Sequence, residues 1–187
     1  MKVVIGLGNP GPTYDATRHN VGWWAADRLV YEWGFGPFHR EGACLVAEGT
    51  VGDHEVRVMK PTVYMNRSGA AVAPLRSVPG LDLERDLLVV VDDATLDVGR
   101  VRFRPSGGAG GHNGLKSVEA ALGTSDYARL RIGVGRAPEG VDLAEWVLSP
   151  MPPADEDVVV GLLPDLADGV EIWMEGETET VMNRLNR

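Results

Sequence analysis

One cysteine, Cys44, stands among 187 residues. A lone thiol excludes an internal disulfide and any cysteine-rich zinc site, and it fits a reduced, cytoplasmic-type compartment. No apolar run approaches the roughly 20 residues that a membrane span needs. The opening residues, Met1-Lys2-Val3-Val4-Ile5, reach Gly6 too soon for the apolar stretch of a secretory signal. There is no Gly-x-Ser-x-Gly elbow, and with a single cysteine its absence argues against a covalent nucleophile. Basic residues are outnumbered, 18 Lys and Arg against 27 Asp and Glu, for a formal net charge of -9. Taken whole, that balance argues against a nucleic-acid partner.

What is present describes an ordinary globular chain. Hydrophobic residues make up 44% and charged residues 24%, enough apolar surface to offset the entropy of ordering the chain. The length fits one domain, residues 1–187, with a core that needs neither disulfide nor metal. The 24 glycines and 12 prolines follow no repeat, so they mark many shaped loops. The acidity is unevenly placed. Residues 1–136 hold 16 basic and 15 acidic side chains, whereas 137–187 hold 12 acids and only Arg184 and Arg187. Within 94–136, Arg100, Arg102, Arg104, Lys116, Arg129, Arg131 and Arg136 face three acids. Screening over a Debye length of about 8 Å lets such a patch meet phosphates on an acidic protein.

Periodicity gives an alternation of strands and helices. Residues 2–7 and 86–91 are apolar runs that read as buried strands; 44–50 and 55–59 flank Gly52-Asp53 as a hairpin; 100–104 alternates basic and apolar as an exposed strand; 130–134 is a further strand. Helical spacing predicts helices over 21–33, 64–78, 113–122, 158–175 and 178–185. The expected fold is a single α/β domain: a mixed, mostly parallel twisted sheet with helices on both faces.

Five places carry chemistry. Gly6-Leu7-Gly8-Asn9-Pro10-Gly11 follows a strand and matches the dinucleotide fingerprint. However, Pro10 and Pro12 straddle the third glycine, where that motif needs a helix to open. The loop instead presents Asn9 at the carboxyl end of the first strand. Thr17-Arg18-His19-Asn20 puts an imidazole at a helix start, and Asp92-Asp93 ends the strongest strand. A carboxylate beside an imidazole fixes one tautomer and raises its basicity, so the pair can take a proton from water. Two acids without nearby companions argue against a metal. Met65-Asn66-Arg67-Ser68-Gly69 offers an Asn that is otherwise a helix cap. Gly110-Gly111-His112-Asn113-Gly114-Leu115-Lys116 offers another on a glycine loop that leads into a helix, and it is not a P-loop. Three asparagines on separate loops, one His and one Asp suit direct attack by water on an ester or amide, with neutral amides to hold the oxyanion.

Segments 6–11, 17–22, 60–69, 92–99 and 110–116, in this order and at these separations, resemble the bacterial-type peptidyl-tRNA hydrolases over essentially the whole chain. The resemblance implies a cytoplasmic monomer that hydrolyses the ester between a stalled peptide and the 3′ end of tRNA, recycling the tRNA without metal or cofactor. It implies His19 as general base, Asp92 as its orienting carboxylate and Asn9 as the group that positions the carbonyl or the water. It also implies that Asn66 and Asn113 hold the peptide backbone and the tRNA end, that Met65 lines the pocket, and that Tyr14 and His112 stand at its rim. Arg104, Lys116 and Arg131 match positions that face the phosphates of the acceptor stem. The chain departs from the family in reading Ala94-Thr95-Leu96-Asp97 after the strand, in having Ala109 where a His is usual, and in its acidic C-terminal region. The alternative is a non-catalytic RNA-binding relative that keeps the fold as a scaffold.

Overall fold

The two apolar runs that stand out in the sequence form the centre of a sheet. The computed structural model describes residues 1–187, and in it β1 (Lys2–Gly6) lies parallel to the β5 strand that follows later in the chain (Leu87–Asp93). Every residue of β5 is buried, as expected of a strand covered on both faces. Counting in chain order, β2 (His39–Glu41) and β3 (Cys44–Val51) precede β4 (His54–Pro61), and β6 (Val101–Arg104) precedes β7 (Ala128–Gly133). The sheet order is β2-β3-β4-β1-β5-β7-β6. The central four strands, β4-β1-β5-β7, are mutually parallel. Both flanks are antiparallel, so "mostly parallel" describes the middle of the sheet and not its edges. The hairpin at Gly52-Asp53 pairs Val51 with His54, and the edge strand β6 exposes Arg102 and Arg104 while burying Phe103.

Helices cover both faces. On one, α1 (Val21–Glu32), α6 (Pro153–Met174) and α7 (Thr178–Leu185) bring Leu29, Leu166 and Trp173 onto Val4, Val58, Leu88 and Val90. On the other, α2 (Gly69–Val72) and α4 (Asn113–Leu122) bring Val72, Leu115 and Val118 onto Val3, Ile5, Val89 and Val91. Successive strand residues point to opposite faces, so each strand feeds both cores. Burial of each large aliphatic side chain contributes about 1.5–3 kcal/mol.

The helix expected over 64–78 is instead three short pieces: a 3₁₀ turn at Met65–Arg67, α2, and a 3₁₀ turn at Ala73–Ser77. Pro74 cannot donate to a helical ladder, and the Gly69 backbone N–H donates to Ser117 Oγ at 2.9 Å, a bond to another helix. Three elements were not foreseen: β2, α3 (Leu83–Asp86) and α5 (Leu143–Val147). Each has five residues or fewer, too short to show a period.

One close approach sets the position of everything at the top of the sheet. Gly22, in the first turn of α1, lies so near the strands that a Cβ there would fall 2.5 Å from Leu7 O and 2.6 Å from Val90 O. Gly6 faces Gly22 across the same contact. The start of α1 therefore seats directly on the ends of β1 and β5. Gly22→Ala is expected to lower stability by about 1–3 kcal/mol through overpacking, read as a fall of roughly 3–10 °C in thermal midpoint. An unchanged midpoint would mean that this contact is slack.

Candidate active site

The loop after β1 passes through two 3₁₀ turns, Pro12–Tyr14 and Arg18–Asn20, before α1 opens at Val21. Only a single 3₁₀ turn, and no α-helix, opens at Gly11, so the glycine fingerprint is a loop here and the dinucleotide reading is not realised. What the loop delivers is His19, whose ring is 11% exposed and whose Nδ1 lies 2.8 Å from Oδ1 of the fully buried Asp92. His19 Nε2 has no protein partner and remains open to the cleft that the residue lines.

His112 completes the centre. Its Nδ1 accepts the backbone N–H groups of Gly114 (3.1 Å) and Leu115 (3.3 Å), capping α4. An acceptor at Nδ1 places the ring proton on Nε2, and that nitrogen lies 2.8 Å from the same Asp92 Oδ1. One carboxylate oxygen therefore takes two imidazole N–H groups. The ring of His112 is 7% exposed; expected at the rim, it stands beside the His19–Asp92 pair. Burial on its own would raise the Asp92 pKa, but the charge and hydrogen bond of His112, then those of His19, outweigh it and hold the carboxyl below the usual carboxylate range. Asp92 is thus a fixed negative charge. Its neighbour Asp93 points elsewhere in the strand's alternation and accepts from Thr95 N (2.8 Å) and Thr95 Oγ1 (2.6 Å), closing a turn.

Asn9 is held from three sides. Asn20, fully buried, accepts from the Asn9 N–H and donates to the Asn9 carbonyl, each at 2.9 Å. The Asn9 Oδ1 accepts from Met65 N–H at 2.7 Å. With its oxygen engaged, the Asn9 amide offers the cleft its NH₂ donors. Asn66 and Asn113 are exposed, with no protein partner for either side chain, so neither is the helix cap that a bland reading made of Asn66.

These residues line one cleft of about 580 Å³, together with Tyr14, Met65 and Arg131. Of the site residues read from the sequence, only Arg104 and Lys116 lie outside it. Arg131 is not a free cation. Its Nη2 donates to Gly108 O (3.1 Å) and Ala109 O (3.0 Å), and its Nη1 lies 3.7 Å from Asp93. Arg129, counted in the basic patch, is 1% exposed and holds Gly108 O, Ser125 O, Tyr127 O and Glu119. Two of the seven cations are therefore scaffolding for the glycine loop. The solvent-facing cations gather elsewhere: Arg100, Arg102, Arg104, Arg136 and Arg187 line a separate polar cavity of about 420 Å³ beside β6.

Sequence reasoning missed two parts of the site. Tyr64 packs edge-on to Tyr14 with ring centroids 6.2 Å apart. The helix α5 and the residue that closes it supply Leu143, Ala144, Val147 and Leu148 as an apolar wall. Its signal was legible: Asp142 accepts from Ala144 N and Glu145 N at the helix start, a capping pattern. Asp142 is also the one acid after residue 136 that lines the cleft.

His19, Asp92 and His112 each bring one ligand atom within 4.8 Å of the others, a grouping that raises the question of a metal. The donor set fits one poorly. Both nitrogens of His112 and the shared oxygen of Asp92 are engaged in hydrogen bonds, and ligation would break the cap on α4.

The depressed Asp92 pKa has a consequence for stability. Between the ordinary carboxylate pKa of about 3.9 and the lower folded value, the unfolded chain binds the extra proton, so folding free energy falls as pH falls through that window and is complete above it. Asp92→Asn should flatten this acid limb in denaturant titrations from pH 5 to 2. An unchanged limb would assign the dependence to other carboxylates.

The geometry agrees with what the chain is similar to. Residues 3–187 match the family model described as peptidyl-tRNA hydrolase. The peptidyl-tRNA hydrolase of Gemmatimonas aurantiaca is 42% identical, with all of both chains covered. That of Chloroflexus aggregans is 40% identical over all of this chain and 99% of its own. The crystal structure of peptidyl-tRNA hydrolase from Acinetobacter baumannii superposes with a TM-score of 0.91 at 30% identity, covering 100% of this chain and 94% of that one. A histidine–aspartate pair set among three amides, on this sheet and with these relatives along its full length, makes the chain a member of the peptidyl-tRNA hydrolase family.

Proposed function

We propose that this protein hydrolyses the ester that joins a peptide, or an N-blocked amino acid, to the 3′ end of tRNA, by direct attack of a water molecule and without a metal. The family's activity supports the substrate. One observation carries the mechanism: His19 is held through Nδ1 on an ionised Asp92 while its Nε2 faces a cleft lined by amide side chains.

The steps follow from the donors present. Asp92 keeps the His19 proton on Nδ1, which leaves the Nε2 lone pair to take a proton from water as the oxygen attacks the ester carbon. Negative charge gathers on the carbonyl oxygen, and the Asn9 NH₂ is a preorganised donor for it. On collapse the 3′ oxygen leaves with the proton returned from the imidazolium, releasing free peptide and tRNA. Asn66 and Asn113, both unpaired and at the mouth of the cleft, suit the amides of a peptide backbone and the terminal nucleotide. The apolar wall of α5 and the Tyr14–Tyr64 pair suit side chains of the peptide.

Arg102 and Arg104 on β6 and Lys116 on α4 are exposed and are the cations we assign to phosphates of the acceptor stem. Arg131 serves by shaping the 108–111 loop. The acids of α6 and α7 lie outside the cleft lining. A monomer acting in the cytoplasm fits these features. The non-catalytic alternative loses ground because both His19 and Asp92 are present and paired.

Purified protein incubated with N-blocked aminoacyl-tRNA and a chelator should release free tRNA, and His19→Ala should lower that rate by about 10²–10⁴-fold. No release, or an unaffected variant, would remove the enzyme reading. Arg104→Glu should weaken tRNA binding and reduce the slope of log affinity against log salt by about 1. An unchanged slope would take Arg104 out of the interface.

A further inference from the structure

Arg18, the residue beside His19, is 3% exposed. A buried guanidinium is costly unless its charge is compensated, and its neighbours within hydrogen-bond reach are all neutral. The guanidinium stacks on the indole of Trp146, 3.6 Å from the ring centroid, a cation–π contact that strengthens when water is excluded. Its Nη1 donates to Ser149 Oγ at 2.5 Å, Pro150 O at 3.0 Å and Ser149 O at 3.4 Å. Backbone bonds run alongside: Arg18 N to Ser149 O at 3.2 Å and Met151 N to Ala16 O at 2.9 Å. Every one of these partners sits on the segment that begins at α5, the helix that forms the apolar wall of the cleft. Trp146 is itself fixed, its Nε1 donating to Gly135 O at 2.8 Å.

We propose that Arg18 is a positioning residue for hydrolysis: by clamping the turn that carries His19 onto the 146–150 segment, it holds the imidazole and the α5 wall as one unit. The inference rests on the hydrolase reading and adds to it a residue that does not touch substrate. A misplacement of the base of about 1 Å is enough to lower a rate by about 10²-fold, and the planar, stacked fork of an arginine resists such movement where a lysine does not.

The test measures kcat and KM for N-blocked aminoacyl-tRNA, with a thermal midpoint for each variant. Arg18→Lys keeps the charge and loses the stack; it should lower kcat by about tenfold or more while KM stays within about twofold, because the loss falls on the chemical step. Trp146→Leu should do the same. The double variant should be no slower than the slower single within about threefold, since both changes break one interaction. Indifferent kcat values, a loss confined to KM, or losses that multiply in the double variant would overturn the inference. If Arg18→Lys fails to fold, Ser149→Ala carries the test: it removes the hydroxyl that accepts from Arg18 Nη1 and donates to Trp146 O, both at 2.5 Å, and should lower kcat by about threefold; an unchanged kcat overturns the proposal. A wild-type protein without turnover would defeat the hydrolase reading and this inference with it; an active wild type with indifferent variants would defeat the inference alone.

Discussion

Oδ1 of Asp92 is the point on which the centre of this protein turns. It is a buried carboxylate oxygen that receives Nδ1 of His19 and Nε2 of His112, both at 2.8 Å. A buried charge persists only when donors compensate for lost water, and here two imidazoles do so while their own tautomers are fixed in return. His112 is held the other way by the backbone amides at the start of α4, so a helix terminus, a carboxylate and the two imidazoles form one chain of hydrogen bonds. The fold serves that chain. Two glycines let α1 sit on the ends of β1 and β5, and the His19 turn just before that helix lies against Asp92.

Around this charge the site is built of neutral groups. Asn9 is locked by Asn20 and Met65, whereas Asn66 and Asn113 are left unpaired at the mouth. This division suits a reaction in which one oxyanion must be met by a rigid donor while a varied peptide is met by adaptable ones. Charge is unevenly placed as well. Seven of the twelve acids after residue 136 lie on α6 and α7, and the free arginines collect beside the edge strand β6. The acidic total that argues against nucleic acid therefore comes from the residues after 136, which supply a single acid, Asp142, to the cleft.

How far the sequence could be read depends on the range of the forces involved. Strands β1 and β5 were legible as unbroken apolar runs and helices α1 and α4 by apolar spacing repeated over several turns, and α4 runs over the residues that its pattern marks. The segment 64–78 was not, because its shape comes from Gly69 bonding to Ser117 on α4, far along the chain. Asp92 and Asp93 are adjacent and chemically alike; only the alternation of the strand decides which one faces the histidines. Arg131 reads as a surface cation until the loop carbonyls of Gly108 and Ala109 are brought to it by β7 and the glycine turn. Arg18 and Asn20 passed as neighbours of a histidine because their partners lie more than a hundred residues away in one case and on the opposite limb of the loop in the other.

Nitrogen-15 chemical shifts of the two rings test the central claim most directly. At a pH where both are neutral, the account predicts opposite tautomers in one protein: His19 protonated on Nδ1 with a free Nε2 lone pair, and His112 protonated on Nε2 with Nδ1 accepting from the α4 amides. Finding His19 protonated on Nε2 would contradict it, because the base would then have no lone pair to offer water; both rings protonated on Nδ1 would contradict the shared Asp92 Oδ1, because His112 would then donate nothing to it.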